Sequence, residues 1–394
     1  MKIDFKTKRD KLIAEGLCDH CLGRQFAKLG YGLENYERGA ILRQNEEVSK
    51  KDFAKDNVPQ DAELGGECYL CQGVFEKIES YVDLLSEALE PYQFNSLLVG
   101  VSLPQQIKED EKELWANYGR QDAELLKSEL NRLIGKRVLR KLSVGVDFER
   151  PDISPVINIE NERVELQISP LLIYGKYNKY VRGVSQTKWF HDRSVKSVEE
   201  IVAQPAIEVA EAEGAKFHGA GREDIDVRCF GKREFVLELL RAKKRNLNLQ
   251  ELEERINNYQ EQVEVFELKF AAKQKIKELK SKRVAKLYKA LVKTSQEIDE
   301  DKLAKLKQLS GTIRQRTPQR VNHRRKDMVR KREIYKVQAE LLTANKLELM
   351  IKAEAGAYIK ELISSDDGRT EPSVAELLDC SAECERLDVI GIDN

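Results

Sequence analysis

Two C-x-x-C pairs, Cys18-Asp-His-Cys21 and Cys68-Tyr-Leu-Cys71, constrain this chain more than any other feature in it. Each knuckle turns so that both sulfurs face one point. Two of them in one cytosolic-type chain read as a four-thiolate structural zinc site. The alternatives are a disulfide pair or a thioredoxin-like redox motif. Both knuckles are followed by glycine, at Gly23 and Gly73, and that pairing favours the metal. His20, inside the first knuckle, reads as a bystander. A closed set of four thiolates leaves no open coordination position, so the metal is expected to hold the fold and not to do chemistry. Cys18, Cys21, Cys68 and Cys71 thereby tie residues 1–75 into one zinc-binding segment, with the polar stretch Asn45–Ala62 an exposed loop between them. The other cysteines, Cys229, Cys380 and Cys384, lack such partners; the last two read as ordinary buried thiols.

At 394 residues the chain has room for two or three domains. It is 41% hydrophobic and 35% charged, as soluble globular chains are. No apolar run approaches the length of a membrane span, and Met1–Lys6 lacks the apolar core of a secretory signal, so a cytoplasmic protein is expected. Lys+Arg and Asp+Glu balance at 68 each. The balance is not local: Ile313–Glu333 holds nine Lys/Arg against two acids. Local patches bind phosphate, and a run such as Arg314–Lys326 cannot be buried without counter-ions, so a phosphate backbone is its natural partner; the alternative is a merely solvated loop.

Along the chain, helices are expected near Asp10–Ala14, Arg24–Leu29 and Glu76–Leu89, and over Asp122–Lys136 with Gly135 ending the last. Strands are expected at Asn95–Leu103, Val144–Phe148 and Val164–Ile168. That order suggests an α/β RNA-binding module over residues 76–196. Its final strip, Tyr174–Trp189, interleaves Tyr174, Tyr177, Tyr180 and Trp189 with Lys176, Lys179, Arg182 and Lys188. Aromatics stack on unpaired bases and cations meet phosphates, so the strip reads as RNA-contacting; the alternative is a strand edge with snorkelling lysines. From residue 197 to 394, strands at Phe235–Leu240, Val263–Phe270, Val284–Thr294 and Val329–Leu341 alternate with charged helices at Leu249–Gln260 and Asp299–Gln308. A larger α+β domain on an antiparallel or mixed sheet follows.

Within that domain, His218-Gly-Ala-Gly-Arg-Glu-Asp-Ile-Asp-Val-Arg228 sets acids and arginines on a glycine-rich turn ahead of a strand. Small residues let a ligand approach, and arginines beside Asp224 would keep it ionised, which suits a nucleophile. The plainer alternative is a self-neutralising surface turn. No G-x-x-x-x-G-K-[ST] loop or dinucleotide fingerprint occurs.

Arg222-Glu-Asp224-x-Asp-Val resembles the R-x-D-x-x-V loop that carries the catalytic aspartate of pseudouridine synthases of the TruA, RluA and TruB kind. The longer string Gly221–Arg228 is similar to that of the archaeal and eukaryotic Pus-ten family of tRNA pseudouridine synthases. Further strings agree in order: the two C-x-x-C pairs, Tyr174–Arg182 with Gln186-Thr187, Arg316–Arg325, Ala357–Leu362 and Gly368–Ser373. The resemblance spans nearly the whole chain. It implies an accessory zinc-plus-THUMP half that grips the acceptor end of tRNA, and a C-terminal pseudouridine synthase domain. It implies Asp224 as nucleophile, Tyr288 as the tyrosine under the target base (Tyr358 competes for that place), Lys360 as the basic partner of the nucleophile, and Leu387 as the apolar residue packed beneath it. Candidate RNA contacts are Lys176, Lys179 and Arg182 in the strip, Arg316, Arg320, His323, Arg324 and Arg325 in the basic run, and Arg222 and Arg369 in the matching strings. The implied reaction converts uridine 55, and also 54, of the TΨC loop of tRNA, with a monomer as the default state. Ala220 departs from the serine expected there. A different reading is a catalytically silent tRNA-binding protein that keeps the zinc and THUMP modules; it would call for a damaged aspartate loop. Another THUMP-bearing enzyme, a methyltransferase or thiouridine synthetase, would need a donor-binding glycine loop that is not found.

Overall fold

The computed structural model describes residues 4–44, 47, 49, 51–60, 68–188, 195–323 and 325–393. It divides into two units, Met1–Ser169 and Pro170–Asn394.

In the first unit, α1 (Phe5–Ala14), α2 (Asp19–Gly23) and α3 (Asn35–Gln44) are followed by α4 (Ile78–Leu89), α5 (Gln105–Tyr118) and α6 (Leu126–Leu142). A five-stranded sheet holds β1 (Ser96–Leu97), β2 (Gly100–Ser102), β3 (Gly145–Val146), β4 (Ile153–Asn158) and β5 (Arg163–Ile168). The stretch expected as one strand over Asn95–Leu103 is thus two short ones. One core runs from Leu12 to Ile157 and includes the four knuckle cysteines. The zinc-tied segment and the strand–helix module therefore share their interior. Helix α6 passes through Gly135, because Leu130, Leu133, Ile134 and Val138 bury one face of it and outweigh the roughly 1 kcal/mol that glycine costs a helix.

The second unit is built on a ten-stranded mixed sheet: β6 (Leu171–Lys179), β7 (Gly214–Gly219), β8 (Val227–Leu240), β9 (Val263–Phe270), β10 (Lys286–Thr294), β11 (Gly311–Arg316), β12 (Val329–Thr343), β13 (Lys346–Ala353), β14 (Thr370–Glu371) and β15 (Ala382–Ile392). The order is β14-β11-β12-β13-β10-β15-β8-β6-β9, with β7 also on β8. Helices α7 (Val198–Ala210), α8 (Leu249–Asn257), α9 (Lys273–Ser281), α10 (Glu300–Lys305), α11 (Ile359–Ser364) and α12 (Val374–Leu378) complete it. Residues 171–179, expected to end the accessory module, form a strand of this sheet, so the division falls at Ser169/Pro170 and not at 196.

Strand β8 joins two cores. Its first residues, Val227 and Cys229, pack with β10, β13 and β15, while Phe235, Leu237 and Leu239 pack with β6, α7 and β9. The junction is a short parallel pairing, Leu387 opposite Val227 and Val389 opposite Cys229. The loop from β7 to β8 opens at that junction.

Candidate active site

Residues 220–226 connect β7 to β8. Gly221 has φ +79°, a left-handed conformation open to glycine at little cost, and a Cβ on Gly219 would lie 2.8 Å from Gln186 Nε2. Beneath the loop lies a buried polar network. The Glu223 carboxylate is ion-paired to Arg233 at 2.9 Å, both side chains almost wholly buried. It also accepts a hydrogen bond from the Tyr177 hydroxyl at 2.9 Å. Gln186 Nε2 donates to Tyr177 Oη at 2.8 Å and to the Gly221 carbonyl at 2.9 Å. Arg233 donates to the Ala220 carbonyl at 2.9 Å, and the Lys179 ammonium to the carbonyls of Val184 at 2.7 Å and Asp224 at 3.2 Å. A buried charge must be paired or it costs several kcal/mol. Here the pairing also fixes the loop.

Asp224 projects from the fixed loop with its side chain 41% exposed. Its Oδ2 lies 3.1 Å from Arg320 Nη1 and 3.6 Å from Lys360 Nζ. Both cations are shared: Arg320 with Glu361 at 2.6 Å, and Lys360 with the two oxygens of Asp226 at 2.8 and 2.7 Å. Burial works against the Asp226 carboxylate, yet the Lys360 ammonium holds it below its usual range. Leu387 sits next to the loop because β15 pairs there with β8, and Tyr288 is on the adjoining strand, opposite Val389. Burial pushes the Tyr288 hydroxyl up to about 12, so it is neutral at physiological pH. Asp224, Tyr288, Arg320, Tyr358, Lys360 and Leu387 line one cavity of about 780 Å³, large enough for a nucleoside.

The residues 172–393 match the family described as Pus10, C-terminal, and residues 81–158 match the archaeal Pus10 THUMP domain. The chain is 37% identical to the tRNA pseudouridine synthase Pus10 of Thermofilum pendens, over 98% of this chain and 95% of that protein. It is 37% identical to that of Pyrococcus furiosus, over 98% and 97%. The chain belongs to the Pus10 family. Among solved structures, a Cbf5-Nop10-Gar1 complex is 17% identical over 55% of this chain and 47% of that one, with a TM-score of 0.33.

The four residues singled out for chemistry, Asp224, Tyr288, Lys360 and Leu387, line the same cavity. The cations expected to hold Asp224 ionised, Arg222 and Arg228, do not pair with it: Arg222 is exposed and Arg228 is bound to Asp388 at 2.7 Å. Arg320, expected to contact RNA, takes that place. Lys179 is wholly buried, so its expected RNA contact is corrected to a structural bond with the loop carbonyls. Arg182 likewise donates to the carbonyls of Asp226 and Leu387, both at 2.7 Å, and pairs with Asp388 at 2.6 Å. The part of the strip up to Lys179 belongs to β6, which lies between β8 and β9, so it is not a sheet edge. Lys176 is paired with Glu267 at 2.9 Å. Arg316 and Arg369 meet on Asp327 at 2.7 and 2.8 Å, and Arg325 donates to the Tyr358 hydroxyl at 2.9 Å. His323 is exposed, while Arg324 and Trp189 lie outside the described residues. Sequence reasoning missed Glu223 and Arg233, and no local pattern separates a buried acid from Asp224 and Asp226 just after it.

In the first unit the four cysteines are buried, and their sulfurs lie within 4.8 Å of one another. Cys18 and Cys71 are 3.7 Å apart, close to the roughly 3.8 Å that tetrahedral geometry with zinc–sulfur bonds of about 2.3 Å sets. The donor set fits a zinc ion. Buried thiolates this close would repel one another without a cation between them.

Proposed function

We propose that this chain is a tRNA pseudouridine synthase that isomerises uridine 55, and also 54, of the TΨC loop, with Asp224 as its nucleophile. The carrying observation is the cavity in which Asp224, Tyr288, Lys360 and Leu387 meet, in a chain that belongs to the Pus10 family. A uridine must leave the stack to enter such a site, and Tyr288 would lie against the flipped base while cations around the mouth meet the backbone. Arg320 and Lys360 hold Asp224 from one side, at 3.1 and 3.6 Å from Oδ2, and the carboxylate faces the cavity where the sugar would lie. The C1′–N1 bond then breaks, by direct attack of the carboxylate or through a glycal-type intermediate. The base turns, C5 joins C1′, C5 gives up its proton and N1 takes one up, so atoms balance. No electrons enter or leave, so no organic cofactor is required.

Zinc on Cys18, Cys21, Cys68 and Cys71 would supply cross-linking of the first unit and no chemistry. In this reading the first unit binds the acceptor end of tRNA, and Arg222, His323 and Arg325, exposed at or near the cavity mouth, meet the TΨC arm. The deciding experiment maps pseudouridine on tRNA transcripts in which uridine 54 or 55 is replaced by cytidine. Product at 55 in the first transcript and at 54 in the second supports the assignment. Product only elsewhere would overturn the site, and tRNA binding without product would favour a silent binder.

A further inference from the structure

One cation of the cavity has no place in the scheme above. Lys286 opens β10, two residues before Tyr288 on the same face of the strand, and lines the cavity while being only 9% exposed. Its ammonium lies over the glycine turn of the loop, 3.2 Å from where a Cβ on Gly221 would stand. The neighbouring cations of the cavity wall are committed: Arg233 to Glu223, Lys282 to Glu234, Arg320 to Asp224 and Glu361, Lys360 to Asp226. Lys286 has no ion pair or hydrogen bond from its ammonium among the described residues. Its opposite positions on β13 and β15, Ala353 and Ile392, offer none either. Burial, and then the nearby Arg233, bring it down to about 8.

An amine buried without an acceptor is costly, and such groups are normally satisfied by something. A group that displaces solvent from this cavity must therefore bring an acceptor to Lys286. Uracil has two carbonyl oxygens, and it takes up the electron pair of the C1′–N1 bond when that bond breaks, spreading negative charge over N1 and both oxygens. We propose that Lys286 hydrogen-bonds a carbonyl of the flipped uracil and stabilises the charge the base gains as the glycosidic bond breaks. The inference rests on the pseudouridine synthase reading. Lys286 keeps its proton throughout: it donates a hydrogen bond, and the bonding pair of C1′–N1 goes to the base. Such a donor acts more strongly on the charged base than on the bound uridine, which is the condition for raising the rate and not merely the affinity.

The test compares wild type, Lys286→Met and Lys286→Arg in single-turnover pseudouridine formation on one unmodified tRNA transcript, with tRNA affinity and melting temperature followed in parallel. Lys286→Met should lose about 100-fold in the single-turnover rate. It should bind tRNA within about threefold of wild type and melt no lower, because an unpaired buried charge has been removed. Lys286→Arg should recover part of the rate. Wild-type rates in Lys286→Met overturn the inference alone, since the wild-type control has already shown the activity. Loss of affinity equal to the loss of rate, or a lower melting temperature that accounts for it, also overturns it, making Lys286 a backbone contact or a structural residue. No product from wild type overturns the underlying reading and this one with it.

Discussion

At the scale of single residues, the site depends on which acid is buried and which is presented. Glu223 points inward to Arg233 and Tyr177, and its neighbour Asp224 points to the cavity, as successive residues of an extended loop do. Substituting Glu223→Gln leaves Arg233 buried without its counter-charge, so unfolding should be easier by about 3–5 kcal/mol in a denaturant titration. Tyr177→Phe removes two hydrogen bonds of the same network, the one donated to Glu223 and the one accepted from Gln186, and should cost about 1–3 kcal/mol. If Glu223→Gln unfolds at the wild-type midpoint, the network does not hold the loop. The aspartate loop is legible through its string, and Tyr288 and Leu387, placed only by the resemblance, line the same cavity. The inward role of Lys179 and Arg182 is not legible, since a lysine that binds carbonyls and one that binds phosphate are the same letter. Only the position of β6 inside the sheet separates them.

At the scale of elements, β8 and β15 bring the site together. Asp388, directly after Leu387, takes Arg228 of β8 at 2.7 Å and Arg182 of the loop after β6 at 2.6 Å. Asp388→Asn should weaken both links and lower the turnover number more than the affinity for tRNA, because what loosens is the register of Leu387 beneath the loop. Unchanged turnover at unchanged stability would show that the pairing is incidental. The sequence reading began β8 at Phe235 although the strand starts at Val227, since Arg228, Lys232, Arg233 and Glu234 look like a loop. They are strand residues: Arg228 pairs with Asp388, Arg233 with Glu223 and Glu234 with Lys282, and Lys232 lies over the Phe266 ring. Helix α5 was missed for a related reason: only Ile107, Glu111 and Leu114 are buried along Gln105–Tyr118, too narrow a stripe to stand out among its charges. β9 needed no such help: its expected ends, Val263 and Phe270, are those observed.

For the whole molecule, the two-unit organisation separates the four-cysteine cluster from the candidate site. The knuckle cysteines belong to the core that runs through the first unit, and the cavity belongs entirely to the second. Removing metal with a chelator should therefore lower the melting temperature and weaken tRNA binding. Any pseudouridine still formed at saturating protein should depend on Asp224 as before. Unchanged melting and affinity after verified metal loss would contradict a structural role for zinc. The most direct measurement on the central claim compares wild type with Asp224→Ala for pseudouridine formation on unmodified tRNA transcript, with binding measured on the same preparations. The account predicts product from wild type, none detectable from the variant, and affinities that agree within about threefold. Product from Asp224→Ala would contradict it, and would move the nucleophile to another acid of the loop, first of all Asp226.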